Sequence, residues 1–278
     1  MSQVVTIAAL TVQEALRRKL VAAFALITAV LVALSAWGFD RLVHSRHLTS
    51  GELAASLPQA LILFMFMFSF VVALSASTIS SPSVSAEIDS GVLQSIATRP
   101  VRRAQILLGK WVGLAAVLTA YAAIVCALEF AVVDAVSGFS PPNPAAAFAF
   151  LLAEGLVLLT VGLLLGTRLP ALATGVMAVA LFGAAWLAGV VGSLGESFHI
   201  PALRQVGTVA RYVMPTDGLW HGTIFALEPH ALFDVAAASR ADPFFAAGPP
   251  GWGYDVWCAV WVAIALTAAL VIFQRREL

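Results

Sequence analysis

Six runs of mostly apolar residues constrain this chain more than any other feature, because each is close to the length that crosses a bilayer. A membrane-spanning helix needs about 20 such residues. Hydrophobic residues make up 61% of the 278 residues and charged residues only 11%, which excludes an ordinary soluble domain. The sequence predicts an all-α integral membrane protein, with one transmembrane domain over residues 1–278. The six predicted spans are 20–38, 58–80, 104–133, 145–166, 171–191 and 254–273.

The basic residues predict which side of the membrane each loop faces. Six spans place both termini on one side, and cytoplasmic loops carry an excess of Lys and Arg. With cytoplasmic termini, ten of the fifteen basic residues lie inside, in residues 1–19, 82–110, 167–170 and 274–278. We therefore expect a multi-pass protein of the inner (cytoplasmic) membrane with both termini in the cytoplasm. The five basic residues left outside are Arg41, Arg46, Arg204, Arg211 and Arg240.

Residues 1–19 predict a helix that lies in the membrane plane. They do not resemble a cleaved secretory signal, because the basic cluster at residues 17–19 comes late and no convincing cleavage site follows. Most of the polar side chains lie off one apolar stripe, as in an interfacial amphipathic helix. The stripe consists of Val5, Ala9, Val12, Leu16 and Leu20.

Residues 192–253, between the last two spans, predict two short external helices. The first carries Leu203, Val206, Val209 and Val213 on one face, and Asp217 is the expected N-cap of the second. Because both helices are apolar, we expect them to lie on the outer leaflet or to dip into it. They could form a lid over the bundle, or a surface on which a substrate or an external partner docks.

Residues 82–103, between spans two and three, predict a short amphipathic helix on the cytoplasmic side. Pro82 and Ser85 favour a helix start, and Glu87 and Asp89 suit the first turn of a helix dipole. Pro100 ends the pattern. Such a helix either rests on the lipid headgroups or docks on a partner. Its apolar stripe is Ile88, Val92 and Ile96, and Arg99, Arg102 and Arg103 follow.

Two carboxylates lie within apolar spans. Glu154 is near the expected midplane, where an ionisable side chain either lines a translocation path or is a protonated carboxyl bonded to a neighbouring helix. Glu129 lies closer to the outer end of its span, so we expect it to be a partly hydrated carboxylate at the membrane interface. Two GxxxG spacings, Gly109 with Gly113 and Gly162 with Gly166, indicate close helix packing.

The remaining reactive residue types predict no catalysis by this chain. Cys126 and Cys258 lie in apolar runs and are expected to be free thiols, and the five histidines are expected to be solvated in external loops. We expect no metal site and no cofactor bound by this chain. The sequence contains no GxxxxGK[ST], HExxH, GxSxG or CxxC motif, and its zero formal net charge does not favour nucleic-acid binding.

One set of residues around the predicted cytoplasmic helix resembles the signature of ABC-2 type transporter permeases, E-x-x-x-G-x-L followed by P-V-x-R-x-x-I-L-L-G-K. Val92 departs from it, because the family often has Thr there. The segment 214–218 (MPTDG) and the last four residues are similar to the branch that contains the permease of the nitrous-oxide-reductase maturation system. The matching residues are Glu87, Gly91, Leu93, Pro100, Val101, Arg103, Ile106, Leu107, Leu108, Gly109 and Lys110.

The resemblance implies a membrane subunit of an ATP-binding-cassette system, most simply an exporter. It implies that residues 82–103 hold a coupling helix that inserts into a separate cytoplasmic ATPase, which binds ATP and Mg. Two permease copies, identical or different, would form the complex in the lipid bilayer. The alternative is a permease-like subunit that acts on or helps to assemble an external protein. The implied ATPase contacts are Glu87, Ile88, Gly91, Val92, Leu93, Ile96, Arg99 and Arg103.

Overall fold

The computed structural model describes residues 3–89, 102–229, 244, 246 and 248–275, with the side chains of residues 84–89 excepted. Within this part of the chain, six helices are long and apolar enough to cross a membrane. The predicted all-α architecture with six spans is therefore confirmed. The helices are α1 (Gln3–Leu16), α2 (Lys19–Val43), α3 (Ser50–Asp89), α4 (Arg103–Ser137), α5 (Pro144–Gly166), α6 (Ala171–Ser197), α7 (Pro201–Val213), α8 (Thr216–Leu227) and α9 (Trp252–Arg275).

Most spans are longer than their apolar cores. The segment between the first two predicted spans, 20–38 and 58–80, is mostly helical, because α2 reaches Val43 and α3 already begins at Ser50. Apolar residues mark the hydrocarbon region, whereas the helical hydrogen bonds continue into the interface until a stop signal intervenes. For α4 that signal is Gly138, whose φ of 68° closes the helix in the left-handed region.

Pro82 does not start a new helix, so that sequence prediction is wrong. Helix α3 runs through both Pro58 and Pro82 and ends at Asp89. Proline inside a spanning helix is tolerated where neighbouring side chains and helices compensate for the lost backbone bond. Here the hydroxyls of Ser80 and Ser83 donate to the backbone carbonyls of Ser77 and Ser80, in the helical turns just before Pro82.

Helices α3 and α5 form the centre of the bundle. Phe68 and Met65 of α3, and Leu151 and Leu158 of α5, are completely buried. Helices α4, α6 and α8 pack around this pair, and α2 and α9 lie at the periphery. The outer helices expose large apolar side chains such as Leu26, which is 67% exposed. Such surfaces suit contact with lipid acyl chains rather than with water.

Helix α1 packs on α4 through small residues. Its buried side chains are Ala8, Thr11 and Ala15. At Gly113 of α4, an added Cβ would lie 2.6 Å from the carbonyl oxygen of Ala8. The predicted apolar stripe faces outward instead, and Leu20 belongs to α2 rather than to this helix.

The two short helices between α6 and α9 differ in burial. Helix α7 folds back on α6, so closely that an added Cβ at Gly192 would lie 2.8 Å from the Cα of Gly207. Its apolar side chains, including Val206 and Val209, are exposed as expected. Helix α8 is instead buried in the bundle against α5, with Trp220 1% exposed. The prediction that both helices lie outside the core, on the outer leaflet or dipping into it, is therefore wrong for α8, which packs inside the bundle.

Candidate functional site

One end of the bundle carries the described parts of the predicted coupling segment. The backbone of α3 continues for about 9 Å beyond Ser83, and Glu87 and Ile88 lie on this extension. Arg103 begins α4, and its guanidinium approaches the carbonyl oxygen of Gln274 at 3.4 Å. The predicted contacts Gly91, Val92, Leu93, Ile96 and Arg99 lie outside the described residues.

A buried lysine joins the two helices that flank this segment. Lys110 of α4 is 6% exposed, and its Nζ donates a hydrogen bond to the backbone carbonyl of Ser83 in α3. A lysine is buried only when its charge is compensated by polar partners. The ends of α3 and α4 are therefore held together where the chain leaves the bundle.

Glu154 lies in the centre of the bundle. It is 2% exposed, and the hydroxyl of Ser69 lies 3.0 Å from each of its carboxylate oxygens. This contact joins α3 and α5, the two most central helices. Of the two readings of Glu154, the bond to a neighbouring helix is present in the structure, and the translocation path remains a prediction.

Glu129 is not a hydrated interfacial carboxylate, so that prediction is wrong. Its side chain is completely buried between α2 and α4, where Ser35 donates a 2.6 Å hydrogen bond to Oε1. Oε2 has no hydrogen-bond partner within the described residues. Position along the span indicated its depth, but the facing helix that covers it cannot be read from one sequence.

The opposite end of the bundle holds a polar cluster that the sequence did not predict. Asp217 is 4% exposed in the first turn of α8, and its Oδ2 accepts a 2.8 Å bond from Nε of Arg211 in α7. Asp217 is therefore an ion-pair partner rather than the predicted N-cap. The only available signal was the spacing of six residues between Arg211 and Asp217 across a turn.

His221 completes the cluster. Its Nδ1 lies 2.8 Å from the carbonyl oxygen of Asp217, so Nδ1 carries the proton, and Nε2 accepts from Nη2 of Arg211 at 3.3 Å. Burial lowers the pKa of His221 below its ordinary value, and the nearby carboxylate of Asp217 only partly opposes this. His221 is neutral here, and the prediction of a solvated loop histidine is wrong for it.

A cavity of about 670 Å³ opens beside this cluster. Arg204, Arg211, Glu196 and His199 contribute to its wall, together with Tyr254 of α9. The hydroxyl of Tyr254 reaches the carbonyl oxygens of Arg211 and Pro215 at 3.2 and 3.1 Å. Helices α6, α7, α8 and α9 therefore meet at one polar site.

The described residues give little support for metal or thiol chemistry. No group of three or more His, Cys, Asp or Glu side chains among them is placed to hold a metal ion. Cys126 and Cys258 are buried free thiols, as the sequence predicted.

Comparison with known families agrees with this architecture. A family model described as ABC-2 family transporter protein matches residues 5–278. Comparison with curated proteins gives no significant match. Because the match covers nearly the whole chain, the protein belongs to the ABC-2 transporter family and is a multi-pass membrane permease subunit of an ABC transporter.

Proposed function

We propose that this chain is the permease of an exporter and that residues 82–103 dock on the ABC ATPase with which the family works. The chain itself catalyses no reaction and binds no cofactor. ATP and Mg are bound by the partner, and two permease copies form the pore. Both termini and the docking segment face the cytoplasm.

One observation carries the proposal: α3 extends as a continuous helix from the centre of the bundle to Asp89. A force applied near Glu87 therefore acts on the most buried span without an intervening hinge loop. The Lys110 bond to Ser83 links α4 to the same point. ATP binding shifts the bundle between conformations only if the ATPase has different affinity for each of them.

The burial of α8 bears on the alternative function, which is action on an external protein. Such a partner needs an accessible surface, and α8 offers almost none because it packs against α5. Among the described residues of the two short helices, the outer face of α7 is the surface that remains available, so we favour export.

The docking role is tested by copurifying the full chain with its ATPase. We expect Ile88→Asp to weaken the association by about tenfold or more, since a loss of about 1.4 kcal/mol changes binding tenfold. Glu87→Ala should lower permease-dependent ATP hydrolysis. The matched control is Glu52→Ala, in the first turn of the same helix at the opposite end. Normal association and hydrolysis with both Glu87→Ala and Ile88→Asp would exclude docking at this segment.

A further inference from the structure

We propose that the cavity beside Arg211 binds the phosphate group of an amphipathic molecule, such as a phospholipid. This site lies at the end of the bundle opposite the docking segment, so the inference does not rest on the proposed ATPase contact. It is argued from the donors in the cavity, their charge balance and the shape of the adjoining surface.

Arg211 has hydrogen-bonding capacity that its neighbours do not use. Nε bonds to Asp217 and Nη2 bonds to His221, but Nη1 has no hydrogen-bond partner among the described residues. The side chain is 34% exposed, on the wall of the cavity. The buried Asp217 fixes the guanidinium in place, so a ligand meets a donor that is already oriented.

The charges on the wall favour an anion over a cation. Arg204 and Arg211 both line the cavity, whereas Glu196 supplies one accessible carboxylate. The bond between Arg204 and Glu196 is weak, with 3.9 Å between Nε and Oε1, and both side chains are more than half exposed. Asp217 is already engaged by Arg211. A guanidinium group matches the oxygens of a phosphate in geometry and in charge, and two of these groups line the cavity.

Three hydroxyl groups on the cavity wall already donate their hydrogen bonds to backbone carbonyls. Ser193 and Thr208 donate to carbonyl oxygens of their own helices, and Tyr254 donates to backbone carbonyls at the start of α8. The charged guanidinium donors on the wall are those of the two arginines, and His199 and Tyr212 add further polar groups.

The adjoining surface favours an amphipathic ligand rather than free phosphate. A second hollow of about 430 Å³ shares Arg204 and Glu196 with the cavity and continues past Ile200, Pro201 and Val209. A phosphate held by Arg204 and Arg211 would thus leave an attached chain against apolar side chains. Contact of this kind adds affinity in proportion to the apolar area it buries.

The test measures binding of three probes to the purified full chain in a non-ionic detergent, by microscale thermophoresis without ATP. The probes are dihexanoyl phosphatidylglycerol, inorganic phosphate and uncharged dihexanoylglycerol. We expect the anionic lipid to bind most tightly, with a loss of about tenfold or more in Arg204→Gln, since each charged hydrogen bond contributes strongly. The matched control, Arg41→Gln, replaces an exposed arginine at the same end outside the cavity.

Arg211 needs a compensated variant, because removing it alone would leave Asp217 as an unpaired buried charge. The double variant Arg211→Gln with Asp217→Asn retains a neutral hydrogen-bonding pair and should also lose lipid binding. Unchanged binding in both arginine variants, or no binding by the wild type, would overturn the proposal. Equal binding of inorganic phosphate and lipid would assign a soluble phosphate ligand and reject the amphipathic one.

Discussion

Single buried polar side chains in this bundle mark contacts between particular helices. Ser69 links α3 to α5 through Glu154, Ser35 links α2 to α4 through Glu129, and Trp111 donates a 2.9 Å bond to Thr160 between α4 and α5. In hydrocarbon an unsatisfied polar group is costly, so these pairs specify which faces meet.

Replacement of Glu154 separates its packing role from a role in transport. Glu154→Gln should leave the stability within about 1 kcal/mol of wild type, because the amide oxygen still accepts the Ser69 bond. Substrate-stimulated ATP hydrolysis by the assembled transporter should nevertheless fall, because an ionisable group within the membrane is costly and usually functional. Thermal unfolding and ATP hydrolysis are the two measurements.

Ser69→Ala is the matched variant for Glu154. It removes the hydrogen bond and keeps the carboxyl group, so we expect a stability loss of about 1 kcal/mol. If Glu154→Gln transports and hydrolyses ATP normally, Glu154 only holds α3 and α5 together.

The burial of Glu129 and Asp217 could not be predicted from the sequence. Apolar neighbours indicated that Glu129 lies inside a span, but hydration depends on the helix that faces it, and Ser35 lies 94 positions away in the chain. The same applies to Asp217, whose partner Arg211 is on another helix. A single sequence shows periodicity within a helix and no pairing between helices.

Among the helices, the α1–α4 contact is the most sensitive to side-chain size. The GxxxG spacing in α4 predicted that another helix packs closely against it, but not which one. That helix is α1, which is not one of the six spans. An added Cβ at Gly109 would lie 2.7 Å from Ile7, and at Gly113 it would lie 2.6 Å from the Ala8 carbonyl. Helix α1 is therefore attached to α4 along its length.

Gly113→Ala should lower the melting temperature of the purified chain. The added methyl group forces α1 away from α4, and overpacking of this kind costs about 1–3 kcal/mol. The matched control is Gly183→Ala in α6, where an added Cβ meets nothing within 4 Å. Alanine there should be neutral or slightly stabilising, because it favours the helix. Equal melting temperatures for the two variants would contradict the close α1–α4 contact.

The sequence predicted that the six spanning helices exist, but it predicted the residues at which they begin and end less well. The lengths of the apolar runs identified all six spans. A backbone that crosses hydrocarbon must form its hydrogen bonds within its own helix, so each such run is expected to be helical. Pro82 misled the prediction of a helix start, since α3 continues through it. Burial of α8 was also missed, because its apolar composition fits a buried helix and an interfacial helix equally well.

At the scale of the whole molecule, the two ends of the bundle differ in chemistry. Ser83, Lys110 and Arg103 lie at one end, and the Arg211 cavity lies at the other. The distribution of Lys and Arg predicts that the first end is cytoplasmic. An orientation with cytoplasmic termini therefore places the cavity outside.

Cysteine labelling tests this orientation. In a chain lacking Cys126 and Cys258, His47→Cys should react with a membrane-impermeant maleimide in intact cells. Arg168→Cys, on the predicted cytoplasmic turn, should react only after the membrane is permeabilised. Both positions are exposed, so differences in reaction report membrane side rather than burial. The reverse pattern would invert the topology and place the docking segment outside.

The aromatic contacts of Trp220 restrict how the cavity end can open. Trp220 of α8 is 1% exposed and its ring lies 5.4 Å from that of Phe66 in α3, which also meets Trp186 of α6 at 5.4 Å. If α8 moved away alone, Trp220, the largest fully buried side chain, would lose its contacts with Phe66. We therefore predict that α8 moves together with the central helices if this end of the bundle opens, so that an opening forms beside this group of helices rather than through it.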